Sequence, residues 1–210
     1  DNGVDTDGDD VVDDDPEDED DGDGVTVDPV QMTASVDIEK STNGQDADDS
    51  PGVIVLVDPN NVPTITWEYV VTNTGTLDLI DLVVTDDQEG VVCTIPFLAA
   101  GESTTCTMTG TAQLGIYTNI ADVVGQPIGG NGNPFGDPVT DEDPSNYTGV
   151  WINVEKNADK DQVCAGEDVN YSLTVRLLGG APGVQLRNIM VDDNNLPGTL
   201  DVNSTEFVQS

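Results

Sequence analysis

The sequence predicts an all-β protein, tandem β-sandwiches behind an acidic N-terminal segment, on three observations. At Pro29 the composition changes from aspartate runs to alternating apolar and polar residues. Turn-forming residues then break that alternation roughly every eight to twelve positions, as the strands of a sandwich require. The pattern restarts at Trp151, so one folding unit is followed by the beginning of another.

The first element, residues 1–28, holds 15 of the 42 Asp and Glu side chains and none of the five Lys and Arg. Asp5, Asp7 and Asp9 stand at alternate positions, the spacing of the first three ligands of a calcium loop. The Val11 carbonyl falls at the seventh position and Asp13 at the ninth. Glu19, Asp21 and Asp23 repeat the spacing, Gly24 falls at the sharp turn, and Val25 offers the second main-chain carbonyl. Where a helix-flanked loop carries a bidentate Glu, this chain has Pro16 and Val30, which predicts Ca2+ loops without helices. Runs of like charge also suit an unfolded acidic tail, but glycine and valine at loop spacing favour calcium. The segment resembles the aspartate-rich repeats of thrombospondin type 3 and the short linkers of that kind in microbial surface proteins.

Strands are expected at SVDIEK (35–40), TITWEYVVT (64–72), LIDLVVT (79–85), GVVCTI (90–95), STTCTMTG (103–110) and YTNIADVVG (117–125). Ile65, Trp67, Tyr69 and Val71 share one face of the second, which predicts core there and Glu68 in solvent. Cys93 and Cys106 lie in neighbouring strands and no C-x-x-C pair occurs, so a disulfide and an oxidising compartment are expected. Cys164 is left over.

INVEK (152–156) then repeats VDIEK (36–40), VNYSLTVRLLGG (169–180) repeats ITWEYVVTNTG (65–75), and LRNIMVDDN (186–194) repeats LIDLVVTDD (79–87). The period is on the order of 110 residues, near the size of an immunoglobulin-like domain. This gives immunoglobulin-like sandwiches at 29–149 and 150–210, the second lacking counterparts of STTCTMTG and YTNIADVVG. An unfinished sandwich exposes a sheet edge unless further repeats follow or another chain donates strands.

The runs DIEKSTNGQDAD, TWEYVVTNTGTLDLIDLVVTDDQEG, CTIPFLAAGESTTCTMTGTA, YTNIADVVGQP and VTDEDPSNYTG resemble the immunoglobulin-like conserved repeat of large bacterial and archaeal surface proteins and adhesins. The likeness covers residues 35–149 and, in part, 150–200. It implies a β-sandwich that serves as an extracellular spacer or adhesive module at the cell surface. Its implied partners are neighbouring repeats, identical subunits, other cell-surface proteins or glycans.

A formal charge of −37 makes nucleic acid and anionic membranes poor partners and cations natural ones. No run of 18 apolar residues occurs, so no membrane insertion is expected in this segment. With no His, no G-x-S-x-G, no phosphate-binding glycine loop and 4% aromatic residues, no enzyme is expected. The expected function is an extracellular structural or adhesive module rigidified by calcium. The alternatives are a filament subunit assembled by strand donation and an S-layer or cell-wall component of a halophile, since an acidic, Lys-poor body suits high salt.

Three further constellations stand out. Asn43, Asp46, Asp48, Asp86, Asp87, Asp141 and Asp143 fall in turns and strand ends that gather at one end of a sandwich, a second calcium candidate that ordinary solvated turns also explain. Asn146, Asn170 and Asn203 head N-x-S/T sequons. Lys40 shares a face with Val36 and Ile38, and Asn119 with Tyr117, Ala121 and Val123, so both could point inward, as for a Lys to Asn isopeptide bond of the kind pilin-like surface domains form. That reaction needs a buried acid, and alternation sends the nearest, Glu68, outward. Lys40 is therefore expected to be an exposed strand end.

Overall fold

Alternation of apolar and polar side chains is realised as ten β-strands, with no helix, over residues 31–193, the part described by the computed structural model. In chain order these are β1 (Val36–Thr42), β2 (Gln45–Asp46), β3 (Val53–Leu56), β4 (Thr64–Asn73), β5 (Leu79–Asp86), β6 (Gly90–Leu98), β7 (Ser103–Thr111), β8 (Gly115–Pro127), β9 (Val139–Ala158) and β10 (Tyr171–Gly179). One sheet runs β2-β1-β4-β7 and the other β10-β9-β8-β5-β6, with β3 added in parallel to β9. The six expected strands are β1, β4, β5, β6, β7 and β8. The short β3 and the length of β9 go beyond what the pattern announced.

The core lies between the two sheets. Ile65, Trp67, Tyr69 and Val71 of β4 are 0%, 1%, 0% and 0% exposed, as alternation predicts, while Glu68 faces out. Each such side chain contributes roughly 1.5–3 kcal/mol by leaving water. They meet Leu79, Leu82 and Val84 of β5, Ala121 and Val123 of β8 and Tyr147 of β9. Gly110, opposite Ile65 in the register, is required beside the Trp67 ring, because a Cβ there would stand 2.8 Å from the indole.

Two devices tie the sheets together beyond this core. Cys93 of β6 and Cys106 of β7 form a disulfide, with Cα atoms 6.4 Å apart, that joins the edge of one sheet to the edge of the other. On the far side, alternate residues of β9 reach alternate residues of β1. Asp141 Oδ2 accepts the Ile38 amide at 2.9 Å, Asp143 Oδ2 accepts the Lys40 amide at 2.6 Å, and the Thr42 and Ser145 hydroxyls lie 2.6 Å apart. Main-chain donors of β1 are thereby satisfied by side chains of the opposite sheet.

The strand β9 runs unbroken through the expected boundary between residues 149 and 150, and residues 32–193 belong to one compact unit. It pairs with β8 as far as Gly149 and with β10 from Val150 onward. Gly149 is no strand breaker here: a Cβ would collide with the Gln113 carbonyl, so glycine is the residue that close approach demands.

Beyond that point the pairing of the first copy recurs. In β1 and β4, Lys40 stands opposite Tyr69 and Ile38 opposite Val71. In β9 and β10, Lys156 stands opposite Leu173 and Val154 opposite Val175, the same positions of the repeated segments. Asp81 and Asn188, also equivalent, both take a left-handed backbone, with φ of 52° and 54°.

Candidate functional site

Four strands bring Lys40, Tyr69, Asp86 and Asn119 to one point in the core. Strand β1 places Lys40 on its inward face between Ile38 and Thr42, and the antiparallel register sets it opposite Tyr69 of β4. Strand β5 contributes its last residue, Asp86, in line with Leu82 and Val84. Asn119 of β8 lies on the same inward face as Ala121, which pairs with Asp86.

Lys40 and Asn119 are both 0% exposed and Asp86 3%. Asp86 Oδ2 lies 2.9 Å from Lys40 Nζ and accepts the Tyr69 hydroxyl at 2.6 Å and the Asn119 Nδ2 at 3.0 Å. Its other oxygen accepts the main-chain amides of Gln88 and Glu89 at 3.0 and 3.2 Å. The turn after β5 thus fixes the carboxylate, and three side chains converge on its inner oxygen.

The electrostatics follow from burial in a medium of low dielectric. Burial pushes the Lys40 ammonium below its usual range, opposed by the adjacent Asp86. Burial would raise Asp86, but the hydrogen bonds from Tyr69 and the Gln88 amide and the adjacent Lys40 ammonium outweigh it and hold the carboxyl below its usual range. Tyr69 is pushed well up, first by burial and then by its bond to Asp86. Beside this group, Tyr117 stacks between Trp67 and Tyr147, with centroids 5.9 and 4.8 Å apart, and its hydroxyl donates to Glu89 at 2.9 Å.

Lys40 is therefore no exposed strand end. The strand continues through the buried Thr42, and Asn43 and Gly44, with φ of 51° and 73°, turn it into β2. The buried acid is Asp86 rather than Glu68. Its inward direction was hard to read because β5 shifts register against β8 between Ile80 and Val83, which flips the apolar parity along LIDLVVTD.

Several residues of the second calcium candidate have partners within the protein. Asp86 is held by Lys40, Tyr69 and Asn119, Asp87 accepts the Ile120 amide at 2.8 Å, and Asn43 accepts the Thr66 amide at 3.0 Å. Asp141 and Asp143 hold β1. Asp46, Asp48 and Asp143 do gather around Glu39, whose carboxyl is raised first by burial and then by their charges. Among the described residues no group of three or more His, Cys, Asp or Glu is arranged to hold a metal ion. The expected N-terminal calcium ligands Asp5, Asp7, Asp9, Val11, Asp13, Glu19, Asp21, Asp23 and Val25 lie outside the described residues, as does Asn203.

Asn146, expected as a glycosylation candidate, is 3% exposed and donates both amide hydrogens, to the carbonyls of Ala47 and Asp48 at 2.9 and 2.7 Å. The nitrogen that would carry a sugar is inside the folded protein. Asn170 is exposed, and its Nδ2 donates to Asp159 at 2.8 Å. Cys164 is an exposed free thiol.

The second copy carries half of the buried group. Lys156 pairs with Asp193, the equivalents of Lys40 and Asp86, and the Lys156 ammonium lies 4.5 Å from the Tyr171 ring centroid.

No protein-family model matches the chain, and no curated protein is significantly similar to it. Among solved structures, a Bordetella pertussis protein described as ApaA is similar at 21% identity over 56% of this chain and 94% of that one, with a TM-score of 0.29, too slight a likeness to carry an argument.

Proposed function

We propose that the chain is an extracellular structural or adhesive module of a repetitive surface protein, in which immunoglobulin-like sandwiches follow one another and the acidic segment 1–28 binds calcium. The observation that carries this reading is repetition within the fold. The β9–β10 pair repeats the register of β1–β4, and Lys156 with Asp193 repeats Lys40 with Asp86. Because β9 serves both copies, the backbone passes from one to the next with no flexible linker between them, a property that suits a spacer under tension.

The calcium part rests on composition. Fifteen carboxylates in residues 1–28 without a base repel one another unless cations lie between them, and each bound Ca2+ cancels two charges. Titration calorimetry of the full chain in moderate salt should show saturable calcium heat that is weakened by Asp7→Asn with Asp21→Asn and abolished by deleting residues 1–28. Absence of saturable heat, or heat unchanged by the deletion, would return the segment to the class of acidic tails.

A further inference from the structure

The Lys40, Asp86 and Asn119 group holds more than an ion pair needs. Asp86 Oδ2 has three donors around it, yet Lys40 Nζ has no well-aligned hydrogen bond beyond its 2.9 Å ion contact, and Asn119 Oδ1 has no partner at all, both atoms being buried. A buried ammonium held only by the Asp86 carboxylate and the Tyr69 ring, 5.5 Å from its centroid, and an orphaned amide oxygen are each costly, and two in one close-packed core ask for a reason. Lys40 Nζ and Asn119 Nδ2 share one carboxylate oxygen, at 2.9 and 3.0 Å. An amine nucleophile, a carboxamide and an acid able to relay protons are thus within two hydrogen-bond lengths of each other, in a buried site.

We propose that Lys40 and Asn119 become joined by an intramolecular isopeptide bond, formed by the folded protein itself with Asp86 as the catalytic proton relay. The reaction begins with proton transfer from the Lys40 ammonium to Asp86 within the ion pair, which burial of Lys40 favours. The Nζ lone pair attacks Asn119 Cγ, and the C=O electrons move onto Oδ1. Asp86 gives its proton to Nδ2 and takes one from Nζ. The carbonyl re-forms, the Cγ–Nδ2 bond breaks, and ammonia leaves. Ammonium, carboxylate and carboxamide have become a secondary amide, a neutral carboxyl and ammonia, so atoms and charge balance.

The product removes the anomalies of the reactant state. Lys40 no longer carries a charge in the core, and the new carbonyl oxygen gains the Asp86 hydroxyl as donor. Tyr69 and the Gln88 and Glu89 amides keep Asp86 aimed throughout. The link would join β1 of one sheet to β8 of the other and enclose residues 41–118, including the Cys93–Cys106 disulfide. Tension entering at β1 and leaving through β9 would then bypass β2 to β7.

The test is the intact mass of the full-length 22.1 kDa chain, reduced and denatured after purification in its folded state. The expected mass is about 17 Da below that of the sequence, the mass of ammonia, and protease fragments should include a branched peptide joining Lys40 to Asn119. Lys40→Ala, Asn119→Ala and Asp86→Ala should each restore the sequence mass. Since those variants remove buried groups and can fail to fold, the decisive reading is that of the unaltered protein, with its β-structure verified by circular dichroism. An unshifted mass there overturns the proposal. So does a loss of about 17 Da without a branched peptide, which marks cyclisation of an asparagine, or a loss that persists in Lys40→Ala.

Discussion

The two copies place the same pair of residues in the same register and in different surroundings. Side chains of Lys40 and Asp86 are both 0% exposed, whereas those of Lys156 and Asp193 are 37% and 10% exposed. The first pair is covered by β4, β5 and β8, which bring Tyr69 and Asn119. Around the second, Ile152 and Val154 remain 41% and 53% exposed and line, with Val175, Leu186, Ile189 and Met190, an open groove of about 460 Å³. The ion pair is thus a property of the β1–β4 type of strand pair and the β5 segment of the other sheet, and burial is added by the strands that close the second sheet over it. Closure converts a solvated pair of little energetic weight into a desolvated one with chemical potential.

The sharpest way to break this comparison is to remove the acid from each copy. In an Asn119→Ala background, where no bond forms and Lys40 keeps its charge, Asp86→Ala leaves the ammonium buried without a counter-charge, which should cost about 3–5 kcal/mol of stability. Asp193→Ala releases a lysine that already reaches solvent and should cost no more than about 1 kcal/mol. Urea midpoints of the two variants read the difference directly. Equal losses would mean that the pairs are energetically alike and that burial does not distinguish them.

That asymmetry was only half visible in the sequence. Regular period-two strands such as TITWEYVVTN carried their own burial pattern, and Ile65, Trp67, Tyr69 and Val71 point inward as alternation requires. Lys40 and Asn119 share the parity of their apolar neighbours and are buried, against the expectation that Lys40 is an exposed strand end. What could not be read was the partner acid. The register shift and the left-handed Asp81 in β5 put Leu79 and Leu82 on the same face, so a period-two reading begun at Leu79 sends Asp86 outward. Strand β3 was missed because its four residues, VIVL, are held by parallel pairing to β9, a non-local contact with no local signal. The length of β9 was missed because Gly149 reads as a break in sequence and is a close approach in space.

A smaller effect tests the two kinds of cysteine. Replacing Cys93 and Cys106 together by Ala opens a link between residues 13 apart and should cost about 3 kcal/mol in the chain-entropy picture. Cys164→Ala, at an exposed thiol in the second copy, should lie within about 0.5 kcal/mol of the parent. Thermal unfolding without reductant would show both, and reductant should reproduce the first and leave the second unchanged. A large loss from Cys164→Ala would mean that the second copy depends on this thiol for its packing.

The smallest expected effect is the dependence of stability on acid, and it sharpens the comparison between linked and unlinked forms of the first copy. In Asn119→Ala no bond can form, so Asp86 stays ionised among Lys40, Tyr69 and the Gln88 and Glu89 amides, with its carboxyl below the usual range. A carboxyl lower in the folded than in the unfolded state contributes stability that is present above the unfolded value, near 3.9, and is lost as pH falls through the folded value. Asn119→Ala should therefore gain stability with rising pH below about 4, by at most about 1.4 kcal/mol per pH unit for one proton. In the linked parent the carboxyl retains its proton in the fold, so this gain is missing. Glu39, Asp48 and Asp143, all raised first by burial, act with the opposite sign but are common to both proteins, and the difference between the two curves removes them. The alkaline side offers no such separation. There the relief of the lowered Lys40 as pH rises is set against the loss from Tyr69, Tyr117 and Tyr147, whose hydroxyls are raised by burial. Acid-induced unfolding followed by circular dichroism gives the measurement: curves of the parent and Asn119→Ala that differ in slope below about pH 4 place an ionised Asp86 in one and a neutral one in the other, and parallel curves would show that the carboxyl has the same charge in both.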